Sequence, residues 1–552
     1  MNDINPIIIK LLSNRGIVGE DEIAEFLSEK PQKTYDPFRL LNMEAGVDLI
    51  LSTINAGKKI CIYGDYDADG ITSISLLMNV LSHLTDQLDY YIPSRFDEGY
   101  GLNKTAIEHI HDTGAGLIIT VDCGSVSYEE VEYAKELGLD VVITDHHNIA
   151  GVIADGIVIN PKQPGCDYPF KHLAGVGVAF KLAQAIQRKT GLPKSVLAET
   201  LDLVAVGTIG DIVPLIDENR TLVKYGMKEL NRLNRKGMKG LVDAIGLKNE
   251  TITSENVAFI IVPHLNAAGR MFCADSAVDL LISESADSIK ANAQKLVESN
   301  KQRKQVQEET YEQCKEIVDE DLSDNLCLVI YSPDAHEGIA GIVAGKIKEK
   351  YNRPSIVVTQ SGDLCKGTGR SLETINLYEL LGNFRDLFIK FGGHSSACGF
   401  LMKHDDLCAL KYGLEDKMNE MVQADPHLFD ECYDFDMELS GGDVTVLLGD
   451  LVECLAPFGN QNKKPVFCID HVNIKNVAFM GEDGKHVRFT GSCPDGNLLQ
   501  CVLFNQAQEY QEMLQSEASV NVFGSIESQS WNGNKRVQFI VEKMNPSESR
   551  SL

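Results

Sequence analysis

At 552 residues the chain is too long for one hydrophobic core, and a typical ~100–200 residues per domain predicts three or four units. The apolar fraction of 43% is ordinary for a globular protein, and no apolar run reaches the ~20 residues of a membrane span. A net charge of −29 argues against a protein that coats nucleic acid by bulk attraction, so a polyanionic substrate would need local basic patches or bound cations.

In chain order, Met1 to Pro6 lack the basic flank and cleavage site of a signal peptide, which predicts a cytoplasmic protein. Residues 1–45 read as an N-terminal helical cap. Leu11, Leu12, Ile17, Ile23 and Phe26 can form an apolar stripe that Pro31 and Pro37 end. Residues 46–284 then alternate strands and helices. Buried strands are predicted at Lys59–Tyr63, Gly116–Val121 and Val141–Thr144, and Ser127 with Glu130 suggests a capping box for the helix between the last two. This alternation is the signature of an α/β fold with a doubly wound parallel sheet, in which polar residues at the carboxyl ends of strands line the crevice. Residues 285–322 are polar and helix-favouring, and read as an exposed connecting helix. A smaller α/β domain is expected over 323–440, starting with the strand Leu326–Tyr331. From 441 to 552 short strands and turns predict a β-barrel of the oligonucleotide-binding (OB) type, with a hairpin turn at Asn532-Gly533. The fourteen cysteines include no Cys-x-x-Cys pair, so reduced buried thiols are expected rather than disulfides or structural zinc.

Chemistry concentrates at the predicted strand ends. Asp65, Asp67 and Asp69 alternate between Gly64 and Gly70 after the first strand. An EF-hand calcium loop begins similarly but needs a Glu at its twelfth position, where this chain has Leu76, and a preceding helix instead of a strand. Carboxylates this close repel one another unless cations bind. Asp122 ends the second strand, where an acid can also simply cap a helix. Asp145, His146 and His147 end the third, a set of donors that suits Mn²⁺ or a similar divalent ion. Asp211 stands alone in an apolar stretch, costly to bury without a cation.

These segments resemble the DHH phosphoesterases, named for the triplet Asp145-His146-His147, and more specifically the RecJ family. Tyr63–Gly70, Asp122-Cys123-Gly124, the triplet and the Asp211 segment resemble four successive motifs. The likeness continues through Asn266–Arg270, through Phe391–His394 as the signature of the DHHA1 domain, and through Pro457–Asn460 at the entry to the OB domain. It therefore spans nearly the whole chain, making 46–284 the DHH catalytic domain, 323–440 the DHHA1 domain and 441–552 the nucleic-acid-binding domain. Two positions depart from the pattern. Tyr63 stands where many members have His, and His264 where many have Arg.

The resemblance implies two divalent cations, Mn²⁺ or Mg²⁺, held by Asp65, Asp67, Asp122, His146 and Asp211, with Asp122 bridging. His147 would face the scissile phosphate, oriented by Asp145, and Asp69 is either a weaker ligand or a helix start. It further implies 5′→3′ hydrolysis of single-stranded DNA to mononucleotides in repair and recombination. Arg95, Arg270, Arg370 and Ser371 would recognise DNA and its 5′-phosphate. Read without the family, Lys366–Ser371 is a glycine loop able to cradle phosphate, the Gly392–Ser396 segment with His394 a second phosphate-facing turn, and Trp531 a stacking platform for bases. Gly175 and Gly177 read as packing glycines. The expected partners are single-stranded DNA and a single-strand-binding protein or helicase, for a monomer without membrane contact. The same chemistry on short oligoribonucleotides or cyclic dinucleotides is the alternative, and a scaffold without catalysis is a third reading. The long connector and the extra β-rich domain favour the long substrate.

Overall fold

The computed structural model describes residues 4–95, 98–99, 101–149, 151–247, 251–430, 433–481, 483–516, 519–531 and 534–547, without the side chains of residues 530, 531 and 534. The chain forms two compact units. One comprises Met1–Pro93, Tyr100–Val262 and Cys432–Leu552, the other Ser94–Gly99 and Pro263–Glu431. Among the described residues no helix is long and apolar enough to cross a membrane.

The first unit is built on a parallel sheet of β1 (Lys59–Gly64), β2 (Leu88–Tyr91), β3 (Ala115–Val121), β4 (Asp140–Thr144) and β5 (Ile157–Ile159). Their order is β2-β1-β3-β4-β5. Helices cover both faces, which explains why Ile60, Ile62, Ile118, Ile119, Val142 and Ile143 run nearly continuously and are fully buried. Burying each such side chain contributes about 1.5–3 kcal/mol. The order reverses between β1 and β3, and a doubly wound sheet opens its crevice at such a switch point. The predicted capping box does not form. Ser127 precedes the helix Tyr128–Glu136, but its side chain makes no capping bond.

The same unit contains β11 (Met437–Glu438), β12 (Phe467–Met480), β13 (His486–Ser492), β14 (Leu498–Leu503), β15 (Ser519–Trp531) and β16 (Asn534–Pro546). Strands β12-β13-β14-β16-β15 close into a barrel through the β12–β15 pairing. Its core extends beyond the barrel. Ile8, Leu11, Leu12, Ile23 and Phe26 of the N-terminal helices share one apolar cluster with Phe467, Phe489, Val522 and Phe539. The amino-terminal cap is thus packed on the carboxyl-terminal barrel.

In the second unit the helix Ala286–Asp321 runs for 36 residues. It is less exposed than its polarity suggests, since Cys314 and Val318 enter the core with Leu328, Val343 and Ile347. The sheet consists of β6 (Leu328–Tyr331), β7 (Ser355–Ser361), β8 (Leu364–Arg370), β9 (Phe388–His394) and β10 (Ala397–Lys403), ordered β6-β7-β8-β10-β9. Two expectations are corrected here. Lys366–Arg370 is the interior strand β8, not a loop, and its glycines make room for packing. A Cβ on Gly367 would lie 2.0 Å from the Phe400 ring, and one on Gly369 2.8 Å from Leu377. Gly392, Gly393 and His394 likewise belong to the edge strand β9, so only Ser395 and Ser396 form the turn.

Candidate metal centre

Three strand ends and the carboxyl end of the helix Leu201–Gly210, where Asp211 sits, bring the acids and histidines of the first unit together. After β1 the chain turns into the helix Ala68–Leu81. Asp67 caps it, its carboxylate accepting from the Asp69 and Gly70 N–H groups at 2.9 and 3.2 Å. Gly70 is required there, because a Cβ would lie 2.3 Å from the Asp65 carbonyl oxygen. Asp69 therefore does not start the helix. Its carboxylate is held by the N–H groups of Gly175 and Val176 at 2.6 and 2.7 Å, at the start of the helix Gly175–Thr190. Asp122 follows β3 with φ +60°, a strained conformation for a residue with a Cβ and one often kept at working sites.

The side chains converge on His146. Its Nε2 is 3.0 Å from Asp122 Oδ1, 3.5 Å from Asp211 Oδ2 and 3.9 Å from Asp69 Oδ2. Three sets of potential ligand atoms each lie within 4.8 Å of one another: Asp65, Asp67 and Asp122; Asp122, His146 and His147; Asp69, His146 and Asp211. Asp122 and His146 each belong to two sets. Burial and mutual repulsion drive the carboxyl groups toward protonation, Asp69 to about 7, Asp211 to about 9 and Asp122 well above its usual range. The buried Asp211 Oδ2 meets no hydrogen-bond donor among the described residues. Buried carboxylates that repel, together with an unsatisfied oxygen and a histidine, fit divalent cations and are costly without them.

The adjacent histidines are pushed in opposite directions. Burial, reinforced by the charge of His147, pushes His146 down to about 3, so it is neutral and able to ligate. Burial also disfavours the charged form of His147, but its hydrogen bond and ion pair to Asp145 outweigh this and raise it. His147 Nδ1 lies 2.8 Å from Asp145 Oδ1, which also accepts from the backbone N–H groups of His146 and His147. Burial would raise Asp145 as well, yet the bond and charge of His147 keep it below the carboxylate range. Asp145 Oδ2 accepts from the Ser125 N–H at 3.0 Å. Asp145 thus has no place in the three ligand sets and supports both histidines from behind.

Several residues of this region escaped the sequence reading. Gly175 is more than packing, since a Cβ would lie 2.7 Å from Asp122. A Cβ on Gly207 would lie 2.3 Å from Thr72 Oγ1 and 3.0 Å from Asp69 Oδ1. Asn160 donates to Ser125 Oγ at 2.9 Å and to the His147 carbonyl at 3.0 Å. Lys162 is lowered by burial but feels the opposing pull of Asp211 and Asp145, which makes it the cation beside the acids. An Asn-Pro-Lys stretch after the triplet was the available signal. The departure at Tyr63 supports the chain rather than the acids. Its buried hydroxyl donates to the Gly101 carbonyl at 2.7 Å, and its ring stacks on Tyr91.

The second unit gathers cations. Arg370, at the end of β8, is lowered by burial, and Arg95 adds to that effect. No carboxylate lies within ion-pair distance of Arg370 among the described residues, and Arg95 also acts electrostatically on His336. Arg270 donates to the Gly338 carbonyl at 3.0 Å. Two glycines of the helix Glu337–Tyr351 admit these groups, for a Cβ on Gly338 would be 2.3 Å from the Arg270 carbonyl oxygen and one on Gly341 3.0 Å from Arg370 Nη2. His336 caps this helix, accepting from the Gly338 N–H. Ser371 is buried, and its hydroxyl meets no partner among the described residues. His394 is exposed at the end of β9. His264, the other departure, lies 3.0 Å from Asn300 of the long helix. The side chain of Trp531 and the Asn532-Gly533 turn lie outside the described residues. Phe489 and Phe539 are barrel core, whereas Phe504 is half exposed against His486.

Comparison with known proteins places these regions in a family context. Residues 59–208 match the DHH family N-terminal domain, 324–424 the DHHA1 domain and 435–543 the RecJ OB domain. The chain is 38% identical over 552 residues to the single-stranded-DNA-specific exonuclease RecJ of Bacillus subtilis (strain 168), covering 99% of this chain and 68% of that protein. To its namesake in Escherichia coli (strain K12) it is 30% identical, covering 99% and 96%. The crystal structure of RecJ in complex with Mn²⁺ from Thermus thermophilus superposes with a TM-score of 0.82 at 27% identity, covering 99% of this chain and 77% of that one. The Mg²⁺ complex from the same organism gives 0.77 at 26% identity, covering 99% and 76%.

Proposed function

The chain belongs to the RecJ family, and from that premise we propose that it is a metal-dependent exonuclease that hydrolyses single-stranded DNA from the 5′ end and releases 5′-mononucleotides. The observation that carries this reading is the sharing of Asp122 and His146 among the three sets of ligand atoms, as expected of a centre for two neighbouring ions. Mn²⁺ and Mg²⁺ are the fitting ions, consistent with the ions of the Thermus structures.

When bound, two such ions supply a water made nucleophilic near neutral pH and neutralise charge on the leaving oxygen. The protein's own residues do the rest. Asp65, Asp67 and Asp122 hold one side of the centre, and Asp211 with the neutral His146 holds the other. Asp69, tied to the start of the helix Gly175–Thr190, keeps that side negative. His147, whose pairing with Asp145 favours its charged form, faces the scissile phosphate and offers a proton or a positive charge. Gly175 lets Asp122 sit against the helix start without a clash.

Groups of the second unit support the proposed polarity. Arg370 with its uncompensated charge, Ser371 with its unsatisfied hydroxyl, and Arg95, Arg270 and the exposed His394 of the edge strand are the groups we assign to a terminal 5′-phosphate. A buried guanidinium without a carboxylate suits a phosphate, to which charge-assisted bonds are strong. The barrel adds a remote grip on the strand, which a small dinucleotide does not require. A single-strand-binding protein or a helicase would deliver such strands. Digestion of strands labelled at either end tests the reading. The expected result is early release of the 5′ label as a mononucleotide, faster with a 5′-phosphate, and loss of the 3′ label first would refute it.

A further inference from the structure

Asp211 ends the helix Leu201–Gly210 and starts a turn that its own segment holds only in part, the Ile212 N–H donating to the Ile209 carbonyl at 3.2 Å and Asn219 Nδ2 to the Pro214 carbonyl at 3.0 Å. The next residue, Ile212, has φ +58°, a strained conformation for a β-branched residue. Ile212 is also 71% exposed, so burial does not fix it there. Something else must over-determine the turn.

That support comes from a hairpin far along the chain, at the entry to the barrel. Asn460 Nδ2 donates to the Ile212 carbonyl at 2.7 Å, and the Leu215 N–H donates to the Asn460 carbonyl at 2.8 Å. One residue thus grips both ends of the turn that begins at Asp211. Gly459 lets the hairpin approach, because a Cβ would lie 2.7 Å from Leu215 Cδ1. The hairpin is itself rigidly set. Gly459 and Asn462 exchange backbone hydrogen bonds of 3.0 Å, with Gln461 at φ +58° on the tip. Asn462 Nδ2 donates to the carbonyls of Leu455 and Pro457, both at 2.9 Å. Arg15 Nε donates to Asn462 Oδ1 at 3.2 Å, and Arg220 Nη2 to the Ala456 carbonyl at 3.0 Å.

We propose that Asn460 is a positioning residue for the metal centre, fixing the Asp211 carboxylate by holding the strained turn at Ile212. This rests on the reading that Asp211 holds an ion. It makes the hairpin before the barrel part of the machinery of the centre, and not merely a linker. The Asn460 side chain is exposed, so its loss leaves the fold intact and acts on the turn alone.

The test is calorimetric titration of Mn²⁺ into the metal-free full-length protein, with Asn460→Ala, Asp211→Ala and the double variant beside the wild type. Losing one exposed hydrogen bond should weaken the affinity for one ion about three- to tenfold. The thermal midpoint of the metal-free protein should not change, and with labelled strands kcat should fall while KM holds. In the Asp211→Ala background Asn460→Ala should cost nothing further, because the residue acts through Asp211. Wild-type ion affinity in Asn460→Ala, an undiminished additional loss in the double variant, or a lowered midpoint that accounts for the weaker binding would each overturn the proposal. If Asp211→Ala itself binds both ions as the wild type does, the assignment of Asp211 as a ligand has failed instead.

Discussion

At the ends of β1, β3 and β4 the protein packs aspartates around a neutral histidine, and burial drives Asp69, Asp122 and Asp211 toward holding protons. Around the start of the helix Glu337–Tyr351 it does the reverse, gathering Arg95, Arg270 and Arg370 with burial working against the Arg370 charge. Glycines clear the space in both places, Gly175 and Gly207 for acids, Gly338 and Gly341 for arginines. One region has negative charge to be answered by cations, the other positive charge to be answered by an anion. A chain of net charge −29 needs its attraction for DNA placed locally in this way instead of spread over the surface.

Substitutions that act on one region and spare the other sharpen this contrast. The largest effect is expected from Asp122→Ala, which removes the carboxylate common to two ligand sets. Turnover should fall below detection even in saturating Mn²⁺, while binding of the 5′-phosphorylated strand to the second unit's arginines should persist. Wild-type-like turnover would remove Asp122 from the centre. His147→Ala should lower turnover by about 10²–10⁴-fold, the range of a lost general acid, and still leave at least one ion bound. Loss of all ion binding would make His147 primarily a ligand. Arg370→Ala should leave ion affinity untouched and reduce the preference for a phosphorylated 5′ end by about ten- to a hundredfold, the value of roughly 1.5–3 kcal/mol for one charge-assisted contact. Competition between labelled strands with and without the phosphate measures it, and a full preference in the variant would place the grip elsewhere.

The contrast also explains what could be read from the sequence. The acidic centre was legible because most of its ligands sit at the ends of predictable apolar strands, Asp211 instead ending the apolar helix Leu201–Gly210. The parallel sheet, the long helix and the barrel were legible for the same reason, since periodicity and turn residues mark them. The cationic region was harder. Lys366–Arg370 has the composition of a phosphate loop, but Phe400 and Leu377 need the space that Gly367 and Gly369 leave, so the segment is an interior strand. Gly338 and Gly341 carry no local signal, because what they admit comes from residues far away in the chain. The roles of Gly175 and Val176 in holding Asp69, and the grip of Asn460 on Ile212, are likewise contacts across more than a hundred residues that no spacing rule reports. The shared core of the N-terminal helices and the barrel is of the same kind. Removing the barrel would strip the partner of Leu11, Leu12 and Phe26, so point substitutions are the cleaner probes.

Whether the buried acids form a centre for two cations is decided by titrating Mn²⁺ into the metal-free protein across pH. Asp69 and Asp211 carry protons in the metal-free protein up to about 7 and about 9, and each must lose its proton to face a cation. Raising the pH through that window therefore favours the binding form, whereas lowering it makes protons compete with the ions. The expected result is two Mn²⁺ per chain, affinity that tightens from about pH 6 to about pH 9, and a heat of binding that changes with the buffer as protons are released. A single ion per chain, or an affinity that is flat or weakens over the same range, would contradict it.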